Sequence, residues 1–424
     1  MSTTKQLGSD PNDIRPAIQA YVDSGTLVGA AVLVWRGGEV VHRSAVGRRD
    51  LETGLPVEPD TIFRIASVTK PITTVAALML LEEGRFALDT PITRVAPELA
   101  RLRVLRDPEG PLEDTVDADR PITFGDLLTH RSGITVGEFH RGPVRRAYAE
   151  ALGATIDNTF SPDEWIDRLA TLPLIDQPGA GFHYGLSSDL LGFLIARMEN
   201  TTLGELLERR IFAPLGMRDT GFVVDESKRT RCAGLCGFDD DGVLTALAQT
   251  PGGHALKVRP AGMTFESGGQ GLWSTLDDYL AFARLFVEGG AVNGTRLLRS
   301  ETLAMMTSNQ LTPHQRATTR MFGSALFAEG HGYGMGVAVV MEPDKAPVVR
   351  CRGGVGTVGW PGAYGSWWQA DPTDGSILIF MSHNMVELHQ MAKGVGLAVW
   401  SAIEEFHALA TASPVARLLS NGLP

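Results

Sequence analysis

Lysine is scarce in this chain: six among 424 residues, at Lys5, Lys70, Lys228, Lys257, Lys345 and Lys393. Cysteine is scarcer, with Cys232, Cys236 and Cys351 alone. Three cysteines cannot build a disulfide framework, and Cys232/Cys236 lack the second Cys/His pair that a zinc site needs, so they read as reduced thiols. No run of about 18 apolar residues occurs, which argues against a transmembrane helix and a membrane partner. Positive charge is in deficit, 38 bases against 49 acids for a formal net charge of −11, whereas nucleic-acid binders carry a basic footprint. The N-terminal stretch MSTTKQLGSDPND has no apolar leader segment, so cytoplasmic residence is the default expectation. No serine lies in a G-x-S-x-G elbow. Ten histidines leave a histidine-assisted serine open but unsupported.

What is present is average for a globular protein: 43% hydrophobic and 21% charged residues, with Gly and Pro somewhat raised. The length allows two or three domains at about 100–200 residues each. Residues 11–24 carry helical spacing, and LVGAAVLVWRGGEVVHRSAVG reads as a hairpin turning at Gly37-Gly38. TIFRIA is a short extended run, and from Ser67 an apolar stretch reads as a helix stopping at Gly84. From about 96 to 260 the segments ITFGDLLTH, SPDEWIDRLATL, SSDLLGFLIARMEN and TLGELLERRIF are helical, with few convincing strands. LDDYLAFARLFVEGG is a further helix; GYGMGVAVVME, GSWWQADP and SILIFMSHN are β-rich, and ELHQMAKGVGLAVWSAIEEFHALA closes the chain as a helix. The reading is thus an α/β (α+β) domain from 1–95 and 260–424, interrupted by a mainly helical domain at 96–259. Polar stretches near 103–120 and 308–330 are long enough to be mobile or to shape a site mouth.

At this strand-to-helix junction stands RIASVTKPIT, with Ser67 three residues before Lys70. Pro71 has no N–H and is tolerated only in a first helical turn, which puts the helix start at or just before Ser67. Residues three apart share a helix face, so the Lys70 amine reaches the Ser67 hydroxyl, and the helix N-terminus favours a developing alkoxide there. This is a route to a serine nucleophile without histidine. A capping serine followed by a surface lysine fits the stretch equally well. The same S-x-x-K spacing at Ser2 and Lys5, in a polar N-terminus, shows that spacing alone decides nothing. Of six tyrosines, only Tyr184 follows a Pro-Gly loop and precedes an apolar helix.

In order and spacing, Ser67-V-T-Lys70, ITFGDLLTHRSGI, Tyr184-G-L, FAPLGMRDTGF, SGGQGLWSTLDDY and Trp360-P-Gly362 resemble the class C β-lactamase-like serine hydrolases, and most closely the family VIII carboxylesterases, over about residues 15–400. The resemblance implies a β-lactamase/DD-peptidase-like fold, an antiparallel sheet flanked by helices plus a mainly helical second domain, with the site in the cleft between. It implies Ser67 as the acylated nucleophile, Lys70 as its proton acceptor and Tyr184 as a second base. The backbone N–H groups of Ser67 and Ala363 would form the oxyanion hole. Gly362 would let substrate approach the strand backbone closely.

Trp360 stands where β-lactamases have the lysine of K-T-G, and Leu186 where they have the asparagine of Y-x-N. Losing these polar anchors suits a neutral acyl ester better than a β-lactam. The expected activity is a carboxylesterase acting on small to medium acyl esters, with a small-molecule ester as partner and neither cofactor nor metal. Amide or β-lactam hydrolysis and acyl transfer remain alternatives, as does a non-catalytic ligand-binding or self-assembling relative. Homo-oligomer formation stays open.

Other patterns read as structural. G354-V-G-T-V-G359 matches a dinucleotide fingerprint, but Trp360-Pro361 stands where its helix should begin. DDDG at 239–242 reads as a turn. His383 and His389 flank Glu387 without an H-E-x-x-H pattern. His130 reads as a hydrogen-bonding structural residue, and Trp367 and Trp368 are candidates for a pocket wall.

Overall fold

The computed structural model describes residues 14–239, 241–247, 256, 259–260, 262–321, 324–327, 329–385, 390 and 393–412. The Ser2/Lys5 pair, Glu387 and His389 lie outside these.

Seven antiparallel strands form the main sheet: β1 (Gly29–Arg36), β2 (Glu39–Gly47), β3 (His331–Tyr333), β4 (Ala338–Val340), β5 (Val358–Pro361), β6 (Trp367–Asp371) and β7 (Ser376–Ser382), in the order β3-β4-β5-β6-β7-β1-β2. Segments from the two ends of the chain meet inside it, where β1 pairs with β7 from Ala30 opposite Ser382 to Trp35 opposite Ile377. Gly37 and Gly38, at φ +62° and +89°, make the expected tight turn between β1 and β2, since paired positive φ values match the strand twist. All of β1 is buried because both faces of the sheet are covered. Alternate side chains serve each cover. Ala30, Val32 and Val34 pack with Trp367 and Phe380 under helices α1 (Ile14–Asp23) and α4 (Leu397–Ala412), while Ala31 and Leu33 join Trp368 and Ile379 in the main core. The two adjacent tryptophans therefore serve two cores, and neither forms a pocket wall.

Helix α2 (Lys70–Glu82) runs through that main core, with all but three of its residues buried. The described residues within 96–259 add no strand to the main sheet. They carry the helices expected there, including Phe124–Leu128, Pro162–Leu169 and α3 (Ser187–Glu199). Three differences from the sequence reading have local causes. Residues 103–120 contain a small hairpin, Arg103–Leu105 with Thr115–Asp117, and a second pairs Cys236–Phe238 with Leu244–Ala246. Such three-residue strands are too short to show periodicity. Within 308–330, a Thr312/Gln315 capping box starts a helix over Pro313–Thr318, and the Gln315 amide donates to the carbonyls of Gly179 and Ala180. The closing run is interrupted by a turn in which Gly394 has φ +84°, and its helix α4 follows at Leu397–Ala412.

No described helix is long and apolar enough to cross a membrane. Among the described residues, no group of three or more His, Cys, Asp or Glu is placed to hold a metal ion. The glycine-rich run at 354–359 leads into strand β5 rather than a helix, so it has no dinucleotide-binding geometry.

Candidate active site

The chain enters the site through Phe63–Arg64, a two-residue strand paired with Trp273–Ser274. Ala66 then adopts φ +45°, a left-handed conformation costly for a residue with a Cβ, and it is fully buried. Residues Ala66–Thr69 form a 3-10 turn, and α2 begins only at Lys70. Ser67 is therefore in a tighter turn ahead of the α-helix. The turn is pinned from the core side, where the Tyr279 hydroxyl donates to Val68 O at 3.1 Å.

Lys70, only 3% exposed, donates from Nζ to Ser67 Oγ at 3.1 Å and to Gly269 O at 2.8 Å. A buried amine in contact with a serine hydroxyl, once neutral, is placed to take that hydroxyl's proton. The surface-lysine alternative is removed, because this lysine has no exposed face. Sequence reading missed Gly269; the SGGQG glycines mark its segment but give no sign that its carbonyl meets the amine.

Tyr184 comes from the loop preceding α3. Lys70 Nζ lies 4.7 Å from the centre of its ring. Its hydroxyl accepts a hydrogen bond from Trp360 Nε1 at 3.0 Å, a contact that nothing local in either segment encodes. Trp360 is held in turn by an edge-on contact with Tyr333, ring centres 5.5 Å apart. Three separated segments thus bring Ser67, Lys70, Tyr184 and Trp360 together.

The remaining candidates divide. Gly362 follows β5 against the backbone preceding Ser67, so closely that a Cβ there would lie 2.6 Å from Ile65 O. Its own N–H is taken by Ser366 O at 2.7 Å. Ala363 comes next, exposed, in a turn whose neighbours Gly362 and Tyr364 are buried. Leu186 is 4% exposed and packs into the main core at the start of α3, which leaves little of it to meet a ligand. His130 is buried with φ +52°, and its ring lies 5.0 Å from that of Tyr184. Burial first, and Lys70 second, hold the His130 pKa well below the ordinary histidine value, so the ring stays neutral beside the lysine. The His130 Nε2 has one long contact, 3.5 Å to Ser188 Oγ, and its Nδ1 has no partner among the described residues, so the hydrogen-bonding role expected of it rests on that contact alone. Around Tyr184 the wall is aromatic, formed by Trp360, Phe139 and His130.

The Beta-lactamase family model matches residues 14–398. An uncharacterised protein of Mycobacterium tuberculosis is 40% identical over 372 residues, covering 88% of this chain and 90% of its own. Esterase EstB of Burkholderia gladioli is 34% identical over 375 residues, covering 85% and 87%. Among solved structures, EstCE1, a hydrolase with promiscuous acyltransferase activity, superposes with a TM-score of 0.73 over 92% of this chain and 97% of its own, at 24% identity.

Proposed function

Because this chain belongs to the β-lactamase family, we propose that it is a serine carboxylesterase that cleaves small to medium acyl esters through an acyl-enzyme on Ser67. The observation that carries the reading is the buried Lys70 amine 3.1 Å from Ser67 Oγ, at the head of a core helix. The 34% identity to an esterase over most of both chains supports the choice of ester. So does the aromatic wall, with Trp360 donating to Tyr184 at 3.0 Å where a β-lactamase would carry a lysine.

In this reading, Lys70 and Tyr184 remove the Ser67 proton as Oγ attacks the ester carbonyl carbon. The N–H groups of Ser67 and Ala363 hold the oxyanion. Collapse breaks the bond to the alkoxide, which leaves as the alcohol after taking the proton through Tyr184. Water then attacks the acyl-enzyme, with its proton passing to the same bases, and the carboxylic acid is released as Ser67 regains its hydrogen. The site lies between the sheet-bearing residues 1–95 and 260–424 and the mainly helical residues 96–259. None of these steps calls on a metal or cofactor.

The test is p-nitrophenol release from p-nitrophenyl acetate and butyrate by the wild type and Ser67→Ala, with intact mass after a phosphonate inhibitor. Turnover should fall by roughly a thousandfold or more in the variant, and the adduct should map to the Ser67 peptide. Undiminished turnover in Ser67→Ala would sink the reading.

A further inference from the structure

Resting on the reading of Ser67 and Lys70 above, we propose that Asp189 is a positioning residue for Lys70, holding the segment Ser267–Gly269 so that the Gly269 carbonyl keeps the lysine amine aimed at Ser67. Asp189 lies in the first turn of α3, five residues after Tyr184, and is 1% exposed. An acid in a first helical turn ordinarily faces water and is stabilised there by the helix dipole. Burying one carries a heavy desolvation cost before its hydrogen bonds offset the loss, so its partners define what it is for.

Those partners are the Ser267 hydroxyl and the Gly269 N–H, the latter at 3.1 Å, both donating to Oδ1. The same glycine's carbonyl accepts from Lys70 Nζ at 2.8 Å. Lys70 then reaches Ser67 Oγ at 3.1 Å. A second tie, Thr73 Oγ1 to Gly268 O at 2.7 Å, fixes the same segment to α2. The segment is therefore clamped between α2, which carries the lysine, and α3, whose leading loop carries Tyr184. Asp189 supplies the α3 side of that clamp. Its carboxyl also feels the lysine: burial pushes its pKa up, while Lys70 and the two hydrogen bonds pull it down.

The experiment measures steady-state ester hydrolysis, the rate of Ser67 phosphonylation and thermal stability for the wild type, Asp189→Ala, Asp189→Asn and Ser267→Ala. A displacement of about 1 Å at a reacting group costs roughly a hundredfold, so Asp189→Ala should lose about that much in kcat and in phosphonylation rate, with KM within about threefold. Asp189→Asn keeps an acceptor oxygen and should recover to within about tenfold of the wild type. Ser267→Ala removes one of the two partners and should lose about tenfold in kcat, which carries the test if Asp189→Ala does not fold. A lowered melting temperature with wild-type kcat, or a loss confined to KM, would overturn the positioning role. Equal phosphonylation in wild type and Asp189→Ala would overturn it while leaving the nucleophile standing. A wild type that is not labelled at Ser67 would overturn both readings.

Discussion

At position 360 the proposed reading sets a tryptophan where β-lactamases carry a lysine. A lysine at this place would bring a second amine beside Lys70; the indole brings one N–H donor, directed at Tyr184 Oη, and an apolar ring. Replacing Trp360 by Phe would keep most of the packing on Tyr333 and remove that donor. A neutral hydrogen bond contributes about 1 kcal/mol net, so kcat for ester hydrolysis should drop by roughly fivefold to tenfold in Trp360→Phe. Unchanged kcat with an altered melting temperature would reduce the indole to packing. Ala66 is the other informative single residue. Its φ of +45° turns the chain abruptly from Arg64 into the 3-10 turn that presents Ser67, and the tightly packed surroundings hold the strained conformation in place.

At the scale of elements, the site depends on how closely β5 approaches the turn carrying Ser67. The absence of a Cβ at Gly362 permits that approach, since a methyl would meet Ile65 O at 2.6 Å and backbone on one side or the other would have to move. Gly362→Ala is therefore expected to push Ala363 away from Ser67 and to lower kcat by about a hundredfold, with a smaller change in KM. Phosphonylation kinetics would check this directly, because the phosphonate oxygen occupies the same hole; an unaffected rate would count against the Ala363 assignment. The burial of α2 has a related consequence. Its helix period is hidden because it is buried on nearly every face, and that enclosure leaves Lys70 3% exposed beside Ser67.

For the whole molecule, several histidines buried in the neutral form set an acid limit. His331 Nε2 pairs with Cys351 O at 2.7 Å, so Nε2 carries the hydrogen, and Nδ1 is buried with no partner among the described residues. Protonation would place a second N–H where nothing described accepts it, and burial holds His331 down at about 4. His383, fully enclosed, is likewise pushed down to about 4. With folded values below the ordinary 6.5, the unfolded chain binds more protons between these limits, so stability rises with pH there and is lost as pH falls from about 6.5 towards 4. Each such histidine accounts for on the order of 3 kcal/mol across the window. Asp189, Glu266 and Asp278, whose carboxyl pKa values are raised by burial, act with the opposite sign. His331→Gln keeps a donor for Cys351 O without the titration. Its melting temperature should therefore fall less steeply between pH 6.5 and 4 than that of the wild type; equal slopes would remove His331 from the account.

Much of this protein was legible in the amino-acid order because the controlling interactions are local. The β1–β2 hairpin follows from two glycines between apolar runs, the helix after Ser67 from Pro71 in its first turn, and the reach of Lys70 to Ser67 from a spacing of three. Six landmarks in order were enough to identify the family. Contacts between segments far apart in the chain were decided by the tertiary structure. Trp360 meets Tyr184 across 176 residues, Lys70 meets Gly269 across 199, and Asp189 reaches Gly269 across 80. Leu186, placed by motif at the substrate, packs into the core because the first ten residues of α3, which it precedes, are all enclosed. Local chemistry selects a turn or a helix with its neighbours alone, whereas hydrogen bonds between remote segments exist only after the sheet has closed and the core has excluded water around them.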